Sequence, residues 1–243
     1  VLTYSIGNFP TLRCLEQIRN DCAYHDANVK VVCVGGGFVY GSLGMSHHAT
    51  EDMAMLRALP GVTVFTPGDP AEVEAVVPVM LRTPGTCYLR LGRGGEPTLH
   101  TAPVENWRLP GALTLRQGTD VALLSAGGIL TQTVSAADML QAQGVSAEVV
   151  SFPCIKPIDA DKIRELAGRF RHVVTVEEHN VVGGFGSAVA EVLAEAGAGC
   201  KLHRIGMPDV YSCVVGTQQY LRGVYEMDDK AICARTLEWL KQP

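Results

Sequence analysis

The run Val29-Lys30-Val31-Val32-Cys33-Val34, closed by Gly35-Gly36-Gly37, constrains this chain more than any other stretch. Six residues with a single charge read as a strand buried on both faces, the kind that parallel sheets contain. The glycines behind it permit backbone angles that other residues resist, and they let another molecule approach the main chain closely. In an open parallel sheet, ligands bind in the crevice beyond the carboxyl ends of the strands. The loop that follows ends on Ser46-His47-His48, so two imidazoles are expected where chemistry would take place.

The flanking sequence supplies the rest of such a sheet. Val1 to Tyr4 reads as the end of a strand and Ser5 to Pro10 as a loop. Leu12, Leu15, Ile18 and Cys22 recur at helical spacing within an amphipathic helix over 11–22. Met53, Leu56 and Leu59 mark a helix over 49–59, Val62 to Thr66 a strand, and Asp69 caps a helix whose first turn holds Pro70 and Glu72 and which runs to Arg82. Thr86 to Leu91 is the next strand. From Gly92 to Gly118 the periodicity lapses into glycine and proline, which reads as a linker. A second series follows, with strands at 121–126, 145–151, 172–176 and 201–205 and helices at 129–143, 187–196 and 229–240. Ile155-Lys156-Pro157 leads into a further helix. The pattern predicts an α/β protein with two parallel-sheet domains and crossover helices: residues 1–98, a linker at 99–117, and residues 118–243.

Composition narrows the function classes. With 47% apolar and 19% charged residues and a formal net charge of -5, the chain is an ordinary folded protein. It has no electrostatic footprint for nucleic acid or an anionic membrane. No apolar run approaches the roughly 20 residues a membrane span needs. The eight cysteines are scattered without C-x-x-C spacing, as expected for buried, reduced thiols in a cytoplasmic protein. The chain opens on Val1, in the middle of an apolar pattern, so a preceding stretch is expected.

Taken together, several segments resemble the C-terminal portion of the transketolase family of thiamine diphosphate enzymes. They are Tyr4-Ser5 and Phe9 ahead of Arg13-Cys14-Leu15-Glu16-Gln17-Ile18-Arg19-Asn20, then Gly44-Met45-Ser46-His47-His48, and Leu59-Pro60-Gly61-Val62-Thr63-Val64 running on to Thr66-Pro67-Gly68-Asp69. Ile155-Lys156-Pro157-Ile158-Asp159, Val176-Glu177-Glu178-His179 and Gly183-Gly184-Phe185-Gly186 continue the series. Their order and spacing across the chain carry the resemblance. It implies a partial pyrimidine-binding domain followed by a transketolase C-terminal domain. The cofactors implied are thiamine diphosphate and Mg²⁺, with the metal held mainly by a diphosphate-binding subunit or domain that this chain does not show. A dimer or heterotetramer acting on a small carbonyl or sugar-phosphate substrate is the implied assembly. The activity implied is transfer of a small acyl or ketol unit between carbonyl compounds. The same two domains also occur in β-type subunits of 2-oxo acid dehydrogenases, and a non-catalytic assembly paralogue would keep the fold.

The resemblance also assigns residues. Phe9 matches the aromatic that stacks on the aminopyrimidine, Ile6 stands in its neighbour's place, and Arg13 faces the same loop, so all three are cofactor-binding candidates. His47 is the catalytic candidate, because an imidazole exchanges protons near neutrality. Ser46, His48 and Arg93 are substrate-binding candidates, the last through the planar fork that suits phosphate. Glu177, Glu178 and His179 are expected at a domain interface, and Gly183 to Gly186 in tight strand-to-helix packing. Transketolases proper carry a histidine near Gly35 and an acidic residue near Leu43. Their replacement points to a smaller or deoxygenated acyl donor. By the resemblance, the family's glutamate that bonds the pyrimidine is expected upstream of Val1.

Overall fold

A computed structural model describes residues 1–241. The first sheet is built from β1 (Leu2–Ile6), β2 (Lys30–Val34), β3 (Thr63–Phe65) and β4 (Cys87–Leu91). Helix α1 (Leu15–Gln17) follows β1, and α2 (Asp52–Ala58) and α3 (Pro70–Arg82) cross between strands. The second sheet takes β5 (Leu113–Arg116), β6 (Val121–Ala126), β7 (Ala147–Ser151), β9 (His172–Asn180) and β10 (Lys201–Met207). Helices α4 (Leu130–Gln141), α5 (Ala160–Arg169), α6 (Phe185–Glu195), α7 (Gln218–Val224) and α8 (Asp229–Leu240) surround it. Strand β8 (Cys154–Lys156) leaves the second sheet and joins the first.

Both sheets have five strands, ordered β1-β2-β4-β3-β8 and β10-β9-β6-β7-β5. All pairings are parallel except β8 on β3 and β5 on β7, which are antiparallel. The architecture is therefore α/β with two mixed sheets. The strands richest in Val, Leu and Ile sit in the middle, where both faces are covered: every residue of β6 and β7 is buried. Lys30, the one charge in β2, is buried as well. Its ammonium donates to the carbonyls of Thr83 and Gly85 at 2.6 and 2.9 Å, so the strand keeps a lysine whose charge is met by oxygens.

Local signals hold where they are chemical. Asp69 caps α3 by accepting from the Glu72 amide at 2.8 Å. Four readings need correction. The helix expected over 11–22 is broken into a 3₁₀ turn at Leu12–Cys14, a single α turn, and a wide π-type turn at Ile18–Ala23, because Ile18 is its only buried apolar anchor. The segment after Phe152 forms β8 before entering α5, since Cys154 and Ile155 find a free edge on β3. The stretch read as linker contains β5 and a buried Trp107 that packs edge-on against Phe65 at 6.3 Å. Of the eight free cysteines, Cys14 and Cys213 are exposed, so burial does not hold for all of them. The last two residues of the stretch read as the C-terminal domain, 242 and 243, lie outside the described residues. Among the described residues no helix is long and apolar enough to cross a membrane.

The two sheets share a core. Val64 and Tyr88 of the first belong to the same buried cluster as Val150 of the second, Phe152 beyond it and Phe185 of α6. Phe152 stands where the chain passes from β7 to β8 and packs on Phe185 with ring centroids 5.1 Å apart. Phe152→Ala is expected to cost about 3–5 kcal/mol, the range for truncating a buried aromatic ring, and urea unfolding would measure it as a single shifted transition because the core is common to both sheets.

Candidate active site

Parallel strands place the loops after β1, β2 and β4 on one edge of the first sheet. Two of these loops are clamped together. The Asn8 amide nitrogen donates to the carbonyl oxygens of Ser46 at 3.4 Å and His48 at 2.7 Å, and the Thr11 hydroxyl donates to the Gly7 carbonyl at 3.1 Å. The clamp brings Phe9 and His47 together, with ring centroids 5.3 Å apart in an edge-on arrangement. Phe9 is half-buried, and the Arg13 guanidinium lies over its ring at 4.3 Å. Ser46 Oγ and His47 Nδ1 are 3.0 Å apart, a contact that engages one ring nitrogen.

The remaining sequence candidates separate. Ile6 ends β1 beside this group. His48 is turned inward. It is 3% exposed, its Nε2 bonds the Gly41 carbonyl at 3.1 Å and its ring meets Phe38 edge-on. The 3₁₀ turn Met45–His47 ends in extended backbone at His48, and this reverses the direction of adjacent side chains. Arg93 is exposed on the loop after β4, where it borders two hollows of about 350 and 420 Å³. The first is flanked by Tyr4, Val34 and Val73. The second is flanked by Ser42, Thr131 and Gln218 and so lies between the two sheets' units.

Beneath the loops is a buried polar floor, of which the sequence marks Glu178 as an interface residue but not Asp52, Tyr88 or Arg90 as its partners. Arg90 Nε donates to Asp52 Oδ2 at 2.8 Å, and its Nη2 donates to the carbonyls of Ala49 and Glu178 at 3.0 and 2.9 Å. Tyr88 donates its hydroxyl to the same Asp52 oxygen at 2.6 Å. The Glu178 carboxylate accepts from the Phe38 amide at 2.6 Å, from Gln218 at 3.0 Å, and from Arg222 Nε at 2.7 Å. The glycine run serves this floor. A Cβ on Gly36 would stand 2.7 Å from the Arg90 guanidinium, and one on Gly37, at φ +67°, would stand 2.6 Å from the Glu178 carboxylate. What approaches these glycines is therefore the chain's own side chains, Glu178 from its second half among them. A charged residue inside the β4 pattern is the one available signal, since Arg90 interrupts Tyr88-Leu89 and Leu91.

Glu177 and His179 complete the interface. Glu177 accepts the Phe185 and Gly186 amides at 2.6 and 2.8 Å, so the start of α6 is filled by a carboxylate of this chain. Burial pushes its pKa up to about 7, against the pull of those amides. His179 accepts the Ala54 amide at 3.3 Å through Nε2 and bonds the Asn180 carbonyl at 2.7 Å through Nδ1, as a neutral ring does. Burial holds it down to about 4, opposed by Asp52 and reinforced by Arg90.

Comparison with known proteins bears on this geometry. Residues 2–96 match the transketolase pyrimidine-binding domain and residues 111–232 the transketolase C-terminal domain. The chain is 35% identical over 234 residues to a subunit of the apulose-4-phosphate transketolase of Phocaeicola vulgatus, covering 96% of this chain and 74% of that protein. It is 34% identical over 230 residues to the 6-deoxy-6-sulfo-D-fructose transketolase subunit of a Clostridium species, covering 95% and 70%. A solved split-gene transketolase, an inactive beta4 tetramer, superposes with a TM-score of 0.89 at 35% identity, over 98% of this chain and 76% of that one.

The interface yields two expectations. Asp52→Ala leaves the buried Arg90 charge without its carboxylate and should cost about 3–5 kcal/mol in urea unfolding. The second concerns pH. His179, depressed from 6.5 to about 4, adds stability that is present above 6.5 and lost as pH falls toward 4. Glu177, raised from 4.5 to about 7, acts in the opposite sense, with stability present below 4.5 and lost as pH rises to 7. Stability measured across this range should therefore decline on acidification in Glu177→Gln and decline on alkalinisation in His179→Gln, each by up to about 1.4 kcal/mol per pH unit.

Proposed function

The chain belongs to the transketolase family, and from that premise we propose that it is the second subunit of a split, thiamine diphosphate-dependent transketolase, with His47 and Phe9 as its active-site pair. It contributes the pyrimidine-binding unit, through about residue 98, and the C-terminal unit from β5 onward. A partner subunit contributes the diphosphate grip and Mg²⁺, and the complex is a hetero-oligomer of the cytoplasm. The substrates are small carbonyl compounds or sugar phosphates.

The residues fit a flat heteroaromatic ring. Phe9 offers a half-exposed aromatic surface on a loop clamped to the His47 segment, and Leu12, Leu43 and Met45 on the same two segments are exposed apolar side chains. Asn8 Oδ1, next to Phe9, is a buried acceptor without a hydrogen-bond partner among the described residues. Thiamine diphosphate, when bound, supplies the nucleophilic carbon and holds the electron pair released by carbon–carbon cleavage. Phe9 and Ile6 would hold its pyrimidine, while Arg13, already over one face of Phe9, shields that face from water.

His47 acts on protons of the substrate oxygens. The Ser46 hydroxyl engages Nδ1, and Nε2 is the ring atom that gives or takes the proton. Arg93, exposed on its glycine-rich loop, would meet an anionic substrate tail through its planar guanidinium. His48 holds the loop from within.

What supports this reading above all is the pairing of Phe9 with His47 by Asn8. Titration with thiamine diphosphate and Mg²⁺, in the presence of the diphosphate-binding partner, tests it. Phe9→Ala should weaken cofactor binding by about tenfold, equivalent to about 1.4 kcal/mol. His47→Ala should leave that affinity unchanged and lower kcat by about 10²–10⁴. An equal loss of kcat and affinity in both variants would contradict the division of roles.

A further inference from the structure

A second cluster of ionisable groups lies at the amino end of α3, apart from the Phe9 and His47 pair. Asp69 Oδ2 accepts the backbone amides of Leu99 and His100 at 2.7 and 3.1 Å and meets His100 Nδ1 at 3.0 Å. The segment after β4 is thus folded back onto the helix start. Glu72, in the first turn of α3, is fully buried. Its Oε2 accepts from the Gly68 amide at 2.6 Å and from the Ser151 hydroxyl at 3.0 Å. Its other oxygen, Oε1, has no hydrogen-bond partner among the described residues, and neither has His100 Nε2. These two atoms face each other across 3.7 Å.

A carboxylate oxygen and an imidazole nitrogen do not face each other in a buried site without something positive between them. The separation discriminates between a proton and a larger cation. A direct N–H···O bond spans about 2.7–3.2 Å, shorter than what is found here. Two ligand atoms at about 2.1 Å from one Zn²⁺ ion stand this far apart when the angle at the metal is about 125°, as in a moderately opened tetrahedron. Asp69 completes the pattern. A carboxylate on Nδ1 fixes the tautomer that leaves Nε2 as a lone-pair donor, which is how metal-ligating histidines are usually oriented.

We propose that His100 Nε2 and Glu72 Oε1 bind a divalent transition-metal ion of the Zn²⁺ type, with Asp69 as the carboxylate that orients the imidazole. The three residues each offer a ligand atom within 4.8 Å of the others, with Asp69 engaged on the Nδ1 side of the ring, away from Nε2. The imidazole selects Zn²⁺ over the hard, oxygen-seeking Mg²⁺ that accompanies diphosphates. Water fills the remaining positions from the side where His100 is 13% exposed. The ion would join residue 100 to α3, and Glu72 already joins α3 to β7 through Ser151. Its effect is structural: it fastens the connecting segment where the two sheets meet.

Calorimetric titration of the chelator-treated full chain with Zn²⁺, and with Co²⁺ as an optical probe, tests the assignment. One ion per chain is expected, with a Co²⁺ spectrum that lacks thiolate charge-transfer absorption and with a raised Tm. The Asp69→Asn change should weaken binding by about 10- to 100-fold, and the double change Glu72→Gln, His100→Asn should abolish it. Failure of the wild-type chain to take up Zn²⁺ overturns the proposal whatever the variants do. So does a bound ion with thiolate absorption, or one retained by the double variant. None of these readouts depends on thiamine diphosphate or on the activity of the assembled enzyme.

Discussion

Arg90 is a cation sealed away from water, and its position governs much else in the molecule. A buried guanidinium persists only where oxygens surround it. Asp52, Ala49 and Glu178 supply them from a helix, the approach to that helix, and a strand of the other sheet. The 49–52 stretch, β4 and β9, far apart in sequence, are thereby held at one point. The loop carrying His47 runs over this point, with Gly36 against the guanidinium and Gly37 against the Glu178 carboxylate. A Cβ at either glycine would collide with the guanidinium or the carboxylate beneath, so the floor and the start of the loop fit together only as glycine.

The strand β9 shows how one short stretch serves two units. Alternation along a strand sends neighbouring side chains to opposite faces. Glu177 turns to the start of α6, Glu178 to Phe38, Gln218 and Arg222, and His179 to Ala54 in α2. Two of the three reach residues of the first half. The C-terminal unit is therefore a structural support for the loops of the first, and β8 adds a backbone pairing to the same seam. This accounts for two units on one polypeptide, joined by a shared core and by shared charges.

How much of this is legible in the sequence depends on the range of the cause. Asp69 reads as a cap because capping is local, and β6 reads to the residue because six positions with little polarity in a row leave few choices. Phe9 and His47 are marked by resemblance and meet in space. What the sequence does not show is set by partners distant in the chain. β8 has three residues, too few for a period, and exists because β3 has an open edge. Asp52 looks like a residue of a helix's first turn until Arg90 and Tyr88 are placed beside it. His47 and His48 are indistinguishable as letters. The change from turn to extended backbone between them puts one toward Phe9 and the other into the core.

The surface around Phe9 carries the last step. Tyr4, Leu12, Leu43, Met45, Val215 and Tyr220 are all exposed by about half or more, on the segments that flank Phe9, His47 and the Gly41 turn. Chemistry that holds an electron pair on carbon requires water to be excluded, because a proton from solvent would end the reaction early. This chain by itself leaves Phe9 and His47 open on that side. Under the proposed function, the partner that brings diphosphate and Mg²⁺ must therefore also close the site. The same apolar side chains that are costly to expose in the isolated subunit then contribute to assembly. Binding of the partner and exclusion of water become one event, and activity in a split enzyme of this kind follows the complex and not either subunit.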